Sequence, residues 1–299
     1  DYGYKGSAEL KATFLNVFNT QTRPADPSKP IPASFLFFGG TGSGKTAMIK
    51  TFFKVINLKE YARGHASNEE AGYIFIDVCQ LTEKESTDPK KSSVEEAIAD
   101  IYDLLSQPNG ARAHLVFDDF HKATTVAVKR RLYQFIMSLF EAKGGMITVR
   151  SKKNDKAREI PVQNLSLYMT LNPANEGRRK NYIDNLKKYK PEELLKKEVL
   201  AALSDKDMDL EDSAVARWAY IIPMDHFPRD AKVPELAARI REDARVSPNH
   251  FVMVEPSVID GLVDFFEGAD ARAFLVPATT ALTHVPVNAA PARLYLVTA

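Results

Sequence analysis

Residues 35–46 read FLFFGGTGSGKT, and this stretch decides the fold. An apolar run, Phe35-Leu36-Phe37-Phe38, stops at four glycines within six residues: Gly39, Gly40, Gly42 and Gly44. Lys45 and Thr46 follow, and a helix-like segment continues through residue 56. Gly39 to Thr46 is the pattern G-x-x-x-x-G-K-[ST] in a strand–loop–helix setting. Its glycines let backbone N–H groups turn inward around a polyphosphate without Cβ clashes. The helix that starts there adds its positive end. Lys45 is placed to reach the β- and γ-phosphates, and the Thr46 hydroxyl to ligate Mg²⁺. The expected cradle is Gly39, Gly40, Thr41, Gly42, Ser43, Gly44, Lys45, Thr46 and Ala47. A glycine-rich turn with a chance lysine is the plainer alternative, but it leaves the agreement of motif and context unexplained.

The 299 residues suffice for one large or two modest domains with a substantial core. Hydrophobic residues make up 44%, as in ordinary globular chains. A formal net charge of +1 gives no global basic footprint for nucleic acid. The single cysteine, Cys79, sits in the run YIFIDVC and reads as a buried strand thiol. A disulfide framework is therefore excluded, and a reducing, cytoplasmic setting is expected. No apolar run approaches the ~20 residues that cross a bilayer, and no signal-peptide pattern opens the chain. The chain begins at Asp1 rather than Met, as expected of a portion of something longer.

Upstream of the loop, residues 5–19 have helical apolar spacing, and Pro24, Pro27, Pro30 and Pro32 form a connector. Downstream, Tyr73–Cys79 reads as a second buried strand, and TEKESTDPKKS (82–92) as a polar loop. Ser93-x-x-Glu96 is a capping box. It opens a helix with Val94, Ala97, Ile98, Ile101, Leu104 and Leu105 on one face. A third strand, HLVFD (114–118), ends in Asp118 and is followed by Asp119. Two carboxylates beside a phosphate loop have a specific use. The first holds Mg²⁺, usually through water, and the second orients the attacking water. The plainer alternative is an acidic strand end that caps a helix. Residues 124–142 read as a helix, 146–150 and 158–162 as a hairpin, and Leu165–Leu171 as a fourth strand ending at Asn172-Pro173. Asn172 would then lie beside the third strand, close to the γ-phosphate. Residues 177–197 hold eight basic against three acidic residues, either a solvated helix face or a contact for nucleic acid or a partner. Ala219–Met224 is a fifth strand. Beyond Pro228 and Pro234 come helices near 234–245 and 256–266 and a closing strand at RLYLV (293–297).

Strands alternating with helices imply a parallel sheet covered on both faces, with the ligand at the strands' carboxyl ends. The order of features resembles the second ATPase module of Clp-type unfoldases, in the AAA+ family. PIPASFLFFGGTGSGKT resembles its opening, LVFDDFHKA its Walker B segment, and the hairpin with LYMTLNP its sensor-1 region. AVARWAYIIPM resembles its arginine-finger segment and EGADARAFL the sensor-2 segment of its lid. NPANEG after sensor 1 is also similar to the MoxR and dynein branches, so the clade stays open, torsin-like branches included.

The resemblance implies an α/β AAA+ core over residues 1–225 and a small helical lid over 226–299. It implies ATP and Mg²⁺ as cofactors. Thr46 and Asp118 would serve the metal, and Asp119 would be the water-orienting base. Asn172 would be sensor 1, Arg272 sensor 2, and Arg217 a finger offered to a neighbouring subunit, with Arg178, Arg179 and Arg229 as substitutes. A ring-like homo-oligomer, expected to be a hexamer, follows because such a finger works only across an interface. Two positions depart from the family pattern. Asp119 stands where glutamate is usual, one methylene further from the water. The loop 82–92 lacks the aromatic residue beside glycine that grips polypeptide in the family's central pore. The expected function is ATP-driven remodelling of a protein or protein complex. A nucleic-acid motor or loader, and an ATP-gated assembly switch with little turnover, are the rivals.

Overall fold

The computed structural model describes residues 32–63, 70–85, 87–88, 91–107, 112–151, 154–173, 199, 217–224, 251–254 and 294–297. Among them a six-stranded, all-parallel sheet is the frame. In chain order its strands are β1 (Ala33–Gly39), β2 (Lys59–Glu60), β3 (Ala71–Asp77), β6 (His114–Asp118), β9 (Ser166–Leu171) and β10 (Tyr220–Met224). Their spatial order is β10-β1-β9-β6-β3-β2. The registers align carboxyl ends: Gly39 lies opposite Met224, Phe38 opposite Leu171, and Asp77 opposite Asp118.

Phe35 to Phe38 of β1 are continuously apolar because both faces of the strand are covered. Phe35 and Phe37 point to one side, with Met48, Ile49, Phe52 and Phe53 of helix α1 (Lys45–Val55). Leu36 and Phe38 point to the other. There they join the buried faces of α2 (Val94–Ser106) and α3 (Val126–Phe140). The apolar stripe read for α2, from Val94 to Leu105, is its buried face. A buried aromatic such as Phe53, fully enclosed between sheet and helix, contributes about 1.5–3 kcal/mol by removal from water.

Local chemistry sets the helix ends. The Ser93 hydroxyl accepts from the Glu96 N–H at 3.2 Å while the Glu96 carboxylate accepts from the Ser93 N–H at 2.8 Å, the expected capping box. Thr125 caps α3 by accepting from Val128 N–H at 3.2 Å. The hairpin β7 (Met146–Ser151) and β8 (Asn154–Pro161) is antiparallel, as read. Its Arg158 donates to the carbonyls of Ser106 and Gln107, at 3.2 and 2.6 Å, and so closes the carboxyl end of α2.

Three expectations are corrected. The second strand begins at Ala71 and stops at Asp77, because the Asp77 carboxylate accepts from the Cys79 N–H and starts a tight turn over Val78–Gln80. Cys79 is consequently a half-buried turn thiol, not a buried strand residue. The polar loop 82–92 is closed at its base by two short strands, β4 (Leu81–Thr82) and β5 (Ser92–Ser93), which pair in parallel. Beyond residue 225 the described residues are a parallel pair, β11 (Phe251–Val254) with β12 (Leu294–Val297). β12 is the expected closing strand; β11 was not foreseen. The helices read at 5–19, 234–245 and 256–266, the basic stretch 177–197, and Arg178, Arg179, Arg229 and Arg272 lie outside the described residues.

Candidate functional site

The site forms where β1, β6 and β9 end. Gly39 must be glycine for the sheet itself, since a Cβ there would lie 2.2 Å from the Met224 carbonyl oxygen. Gly42 and Gly44 have φ of 75° and 88°, the left-handed region that glycine enters without steric cost. Gly44 is also the N-cap of α1 and offers no side-chain acceptor to the helix's first turn. The loop thus presents backbone donors at a positive helix end, the arrangement that binds an anion. Lys45 is buried within it. Its ammonium donates to the carbonyls of Gly39 and Gly40, at 2.7 and 2.8 Å, and to the Ser43 hydroxyl at 3.4 Å.

Below the loop, four groups from three elements meet. The Thr46 hydroxyl reaches both Asp118 oxygens, at 2.9 and 3.0 Å. Thr170, fully buried on β9, donates to Asp118 Oδ1 at 2.6 Å and accepts from the Asp119 N–H at 2.8 Å. Burial pushes the Asp118 carboxyl above its usual pKa, the hydrogen bonds from Thr170 and Thr46 pull it down, and the nearby Asp119 and Asp77 push it up again. Asp119 takes a left-handed conformation, φ 53°, uncommon for a residue with a Cβ. Its carboxylate pairs with Lys122 at 2.7 Å, one turn on.

Asn172 projects from the end of β9. Its Nδ2 donates to Thr41 Oγ1 at 2.8 Å, its backbone N–H donates to His121 Nδ1 at 3.3 Å, and its buried Oδ1 has no hydrogen-bond partner among the described residues. Burial pushes the His121 pKa down to about 4, against the pull of Asp119, so at neutral pH the ring is uncharged and its Nδ1 is an acceptor. The structure therefore gathers Gly39 to Ala47, Asp118, Asp119 and Asn172 at one end of the sheet. Thr170 and His121 join them unforeseen. Thr170 stands two residues before Asn172 on the same pleat, and His121 two residues after the acidic pair.

Arg217 is not part of this cluster. It precedes β10 at the amino end, whereas Met224 at the other end of β10 lies opposite Gly39. Its guanidinium pairs with Glu141 and lies 3.7 Å from Met137 Sδ, both near the end of α3.

The donor set suits a magnesium nucleotide. Mg²⁺ prefers a few hard oxygen ligands beside phosphate and water, with bonds of about 2.1 Å. Thr46 and Asp118 supply such oxygens side by side.

No protein-family model matches the chain, and no curated protein matches it by sequence. Solved structures do. S. cerevisiae Hsp104 in complex with ADP is 20% identical with a TM-score of 0.52, covering 91% of this chain and 42% of that one. A closed state of Hsp104 with ATPγS and FITC casein is 19% identical with a TM-score of 0.50, covering 92% of this chain and 42% of that one. The likeness shows the fold alone, a parallel α/β sheet flanked by helices. The chain spans about 42% of the length of the proteins it matches.

Proposed function

We propose that this chain is an ATP-hydrolysing AAA+ module that remodels a protein or protein complex. The observation that carries the reading is the meeting of Thr46 and Asp118, 2.9 Å apart, beneath a glycine loop that encloses Lys45. In this reading Gly39 to Ala47 hold the phosphates, Lys45 neutralises them, and Thr46 and Asp118 hold Mg²⁺. The metal supplies charge neutralisation on the phosphates when bound. Asp119 orients water, and Asn172 holds its amide at the γ-phosphate position. Arg217 serves a neighbouring subunit's nucleotide, consistent with its distance from its own loop. Arg272 is proposed as sensor 2. Residues 1–225 are proposed as the core, 226–299 as the lid, and a cytoplasmic homo-hexameric ring as the working form. No helix among the described residues is long and apolar enough to cross a membrane.

The loop 82–92 supports a folded partner over an extended chain. Threading motors wedge aromatic side chains between residues, and this loop has none. It is also tethered: Thr124 donates to the Leu81 carbonyl at 2.5 Å and Thr125 to the Glu83 carboxylate at 2.6 Å. Polar contacts to one cognate surface fit such a loop. The test is unfolding of an unrelated fluorescent reporter domain by the assembled protein with ATP. The expected result is ATP turnover with the reporter left folded; rapid ATP-dependent loss of its fluorescence would contradict the reading.

A second reading is an ATP-gated assembly switch with little turnover. The Asp119–Lys122 pair favours it, because it engages the proposed base with a cation of its own chain. Turnover by the assembled form separates the two.

A further inference from the structure

Thr170 stands in the strand SLYMTL among Leu167, Tyr168, Met169 and Leu171, all fully buried. A hydroxyl so placed costs stability unless it is bonded, and valine would fill the same space without that cost. The Thr170 hydroxyl is bonded twice, and only one assignment of its proton fits. The Asp119 N–H can only donate, so Thr170 accepts there and gives its own proton to Asp118. The 2.6 Å bond is in the short range of charge-assisted hydrogen bonds.

Each bond fixes a different acid. Asp118 is gripped by Thr46 from the start of α1 and by Thr170 from β9, so its carboxylate plane is set by hydroxyls from two elements. Asp119 sits in a left-handed turn, uncommon for a residue with a Cβ. The bond from its N–H to Thr170 holds that turn in place. We infer that Thr170 is a positioning residue of the hydrolytic site, one hydroxyl that orients both the metal-side carboxylate of Asp118 and the backbone turn that aims Asp119. The inference rests on the ATPase reading of the site. It adds that the two acids are set jointly by the neighbouring strand.

The experiment uses the whole chain and compares Thr170→Val, Thr170→Ser and the parent. It measures ATP binding by calorimetry, kcat and KM for ATP, and the Mg²⁺ concentration for half-maximal rate. Loss of a hydrogen bond to a charged group predicts a kcat for Thr170→Val about 10- to 100-fold below the parent. Its KM should stay within about 3-fold of the parent while its Mg²⁺ requirement rises, because the loop that binds the phosphates is untouched. Thr170→Ser, which keeps the hydroxyl, should return to near the parent in both. Should the valine variant not fold, Thr170→Cys gives the same contrast, since its S–H is a weak donor of similar size. Parent-like kcat and Mg²⁺ dependence in Thr170→Val or Thr170→Cys would overturn the inference alone, as would a serine variant no better than valine. Absence of ATP binding by the parent would overturn the ATPase reading and the inference with it.

Discussion

His114 opens β6 and Asp118 closes it, so one five-residue strand carries a half-buried histidine at one end and a buried carboxyl group at the other. The same burial acts on both with different results. His114 lies 5.3 Å from the Phe53 ring and hydrogen-bonds the Tyr168 hydroxyl at 3.0 Å. Desolvation drives its pKa down to about 4, and it is a neutral part of the core. Asp118 is also pushed toward its neutral form by burial, but two hydroxyls donate to it and favour the charge. Around His114 the polar groups complete one another within the apolar packing. Around Asp118 they converge on one carboxylate, from the start of α1 and from β9. Burial therefore makes one end of the sheet structural; the supply of donors makes the other end chemical.

The largest effect should come from the chemical end. Asp119→Asn should bind ATP as the parent does and lose about 10²–10⁴-fold in kcat, because an amide cannot polarise water. Turnover at the parental rate would remove Asp119 from the role of base. Next is Arg217→Ala, where loss of a transition-state cation predicts about a 10²–10³-fold fall in kcat with ATP affinity unchanged. Mixing it with Lys45→Ala subunits should restore part of the rate if the arginine acts across an interface. Normal turnover by the variant alone would make the Arg217–Glu141 pair purely structural.

At the structural end the readout is stability. Phe53→Ala should cost about 3–5 kcal/mol, seen as a lower urea midpoint, since the ring is fully buried against Tyr73, His114 and Tyr168. A loss below about 1 kcal/mol would mean that the contact between α1 and the sheet is not the anchor described here. The smallest effect is the pH dependence of His114. Its folded pKa lies below the ordinary 6.5, so on acidification the unfolded chain takes up the proton first. Its contribution is constant above about pH 7 and is lost between pH 6.5 and about 4, on the order of 1 kcal/mol by pH 5.5. The parent should therefore lose more stability than His114→Gln between pH 7.5 and 5.5 in urea titrations. Equal losses would show that His114 is not held neutral.

Much of this architecture is legible in the sequence because its signals are local. The glycines before Lys45, the six apolar positions of α2 and the Ser93–Glu96 box each follow from spacing alone, and each appears where expected. Residues whose meaning depends on a neighbouring strand are harder to read. Thr170 in an apolar run passes for β-branched filler until β9 is seen beside β6. His121 becomes relevant only when the turn after Asp119 meets Asn172. Cys79 is misread as a strand residue because the Asp77 side chain ends the strand, an event that hydrophobicity does not record. Arg217 is identifiable as a cation, yet its pairing with Glu141 depends on how α3 packs.

The loop around Lys45 and the Thr46–Asp118 pair are proposed to form one site for a magnesium nucleotide. Calorimetric titration of ATP with Mg²⁺ into the parent and into Lys45→Ala tests it most directly. The parent should show saturable, one-site binding and the variant about a 10²–10³-fold loss, the cost of removing one partner from a buried charge contact. Equal affinity in the two proteins, or no binding by either, would contradict it.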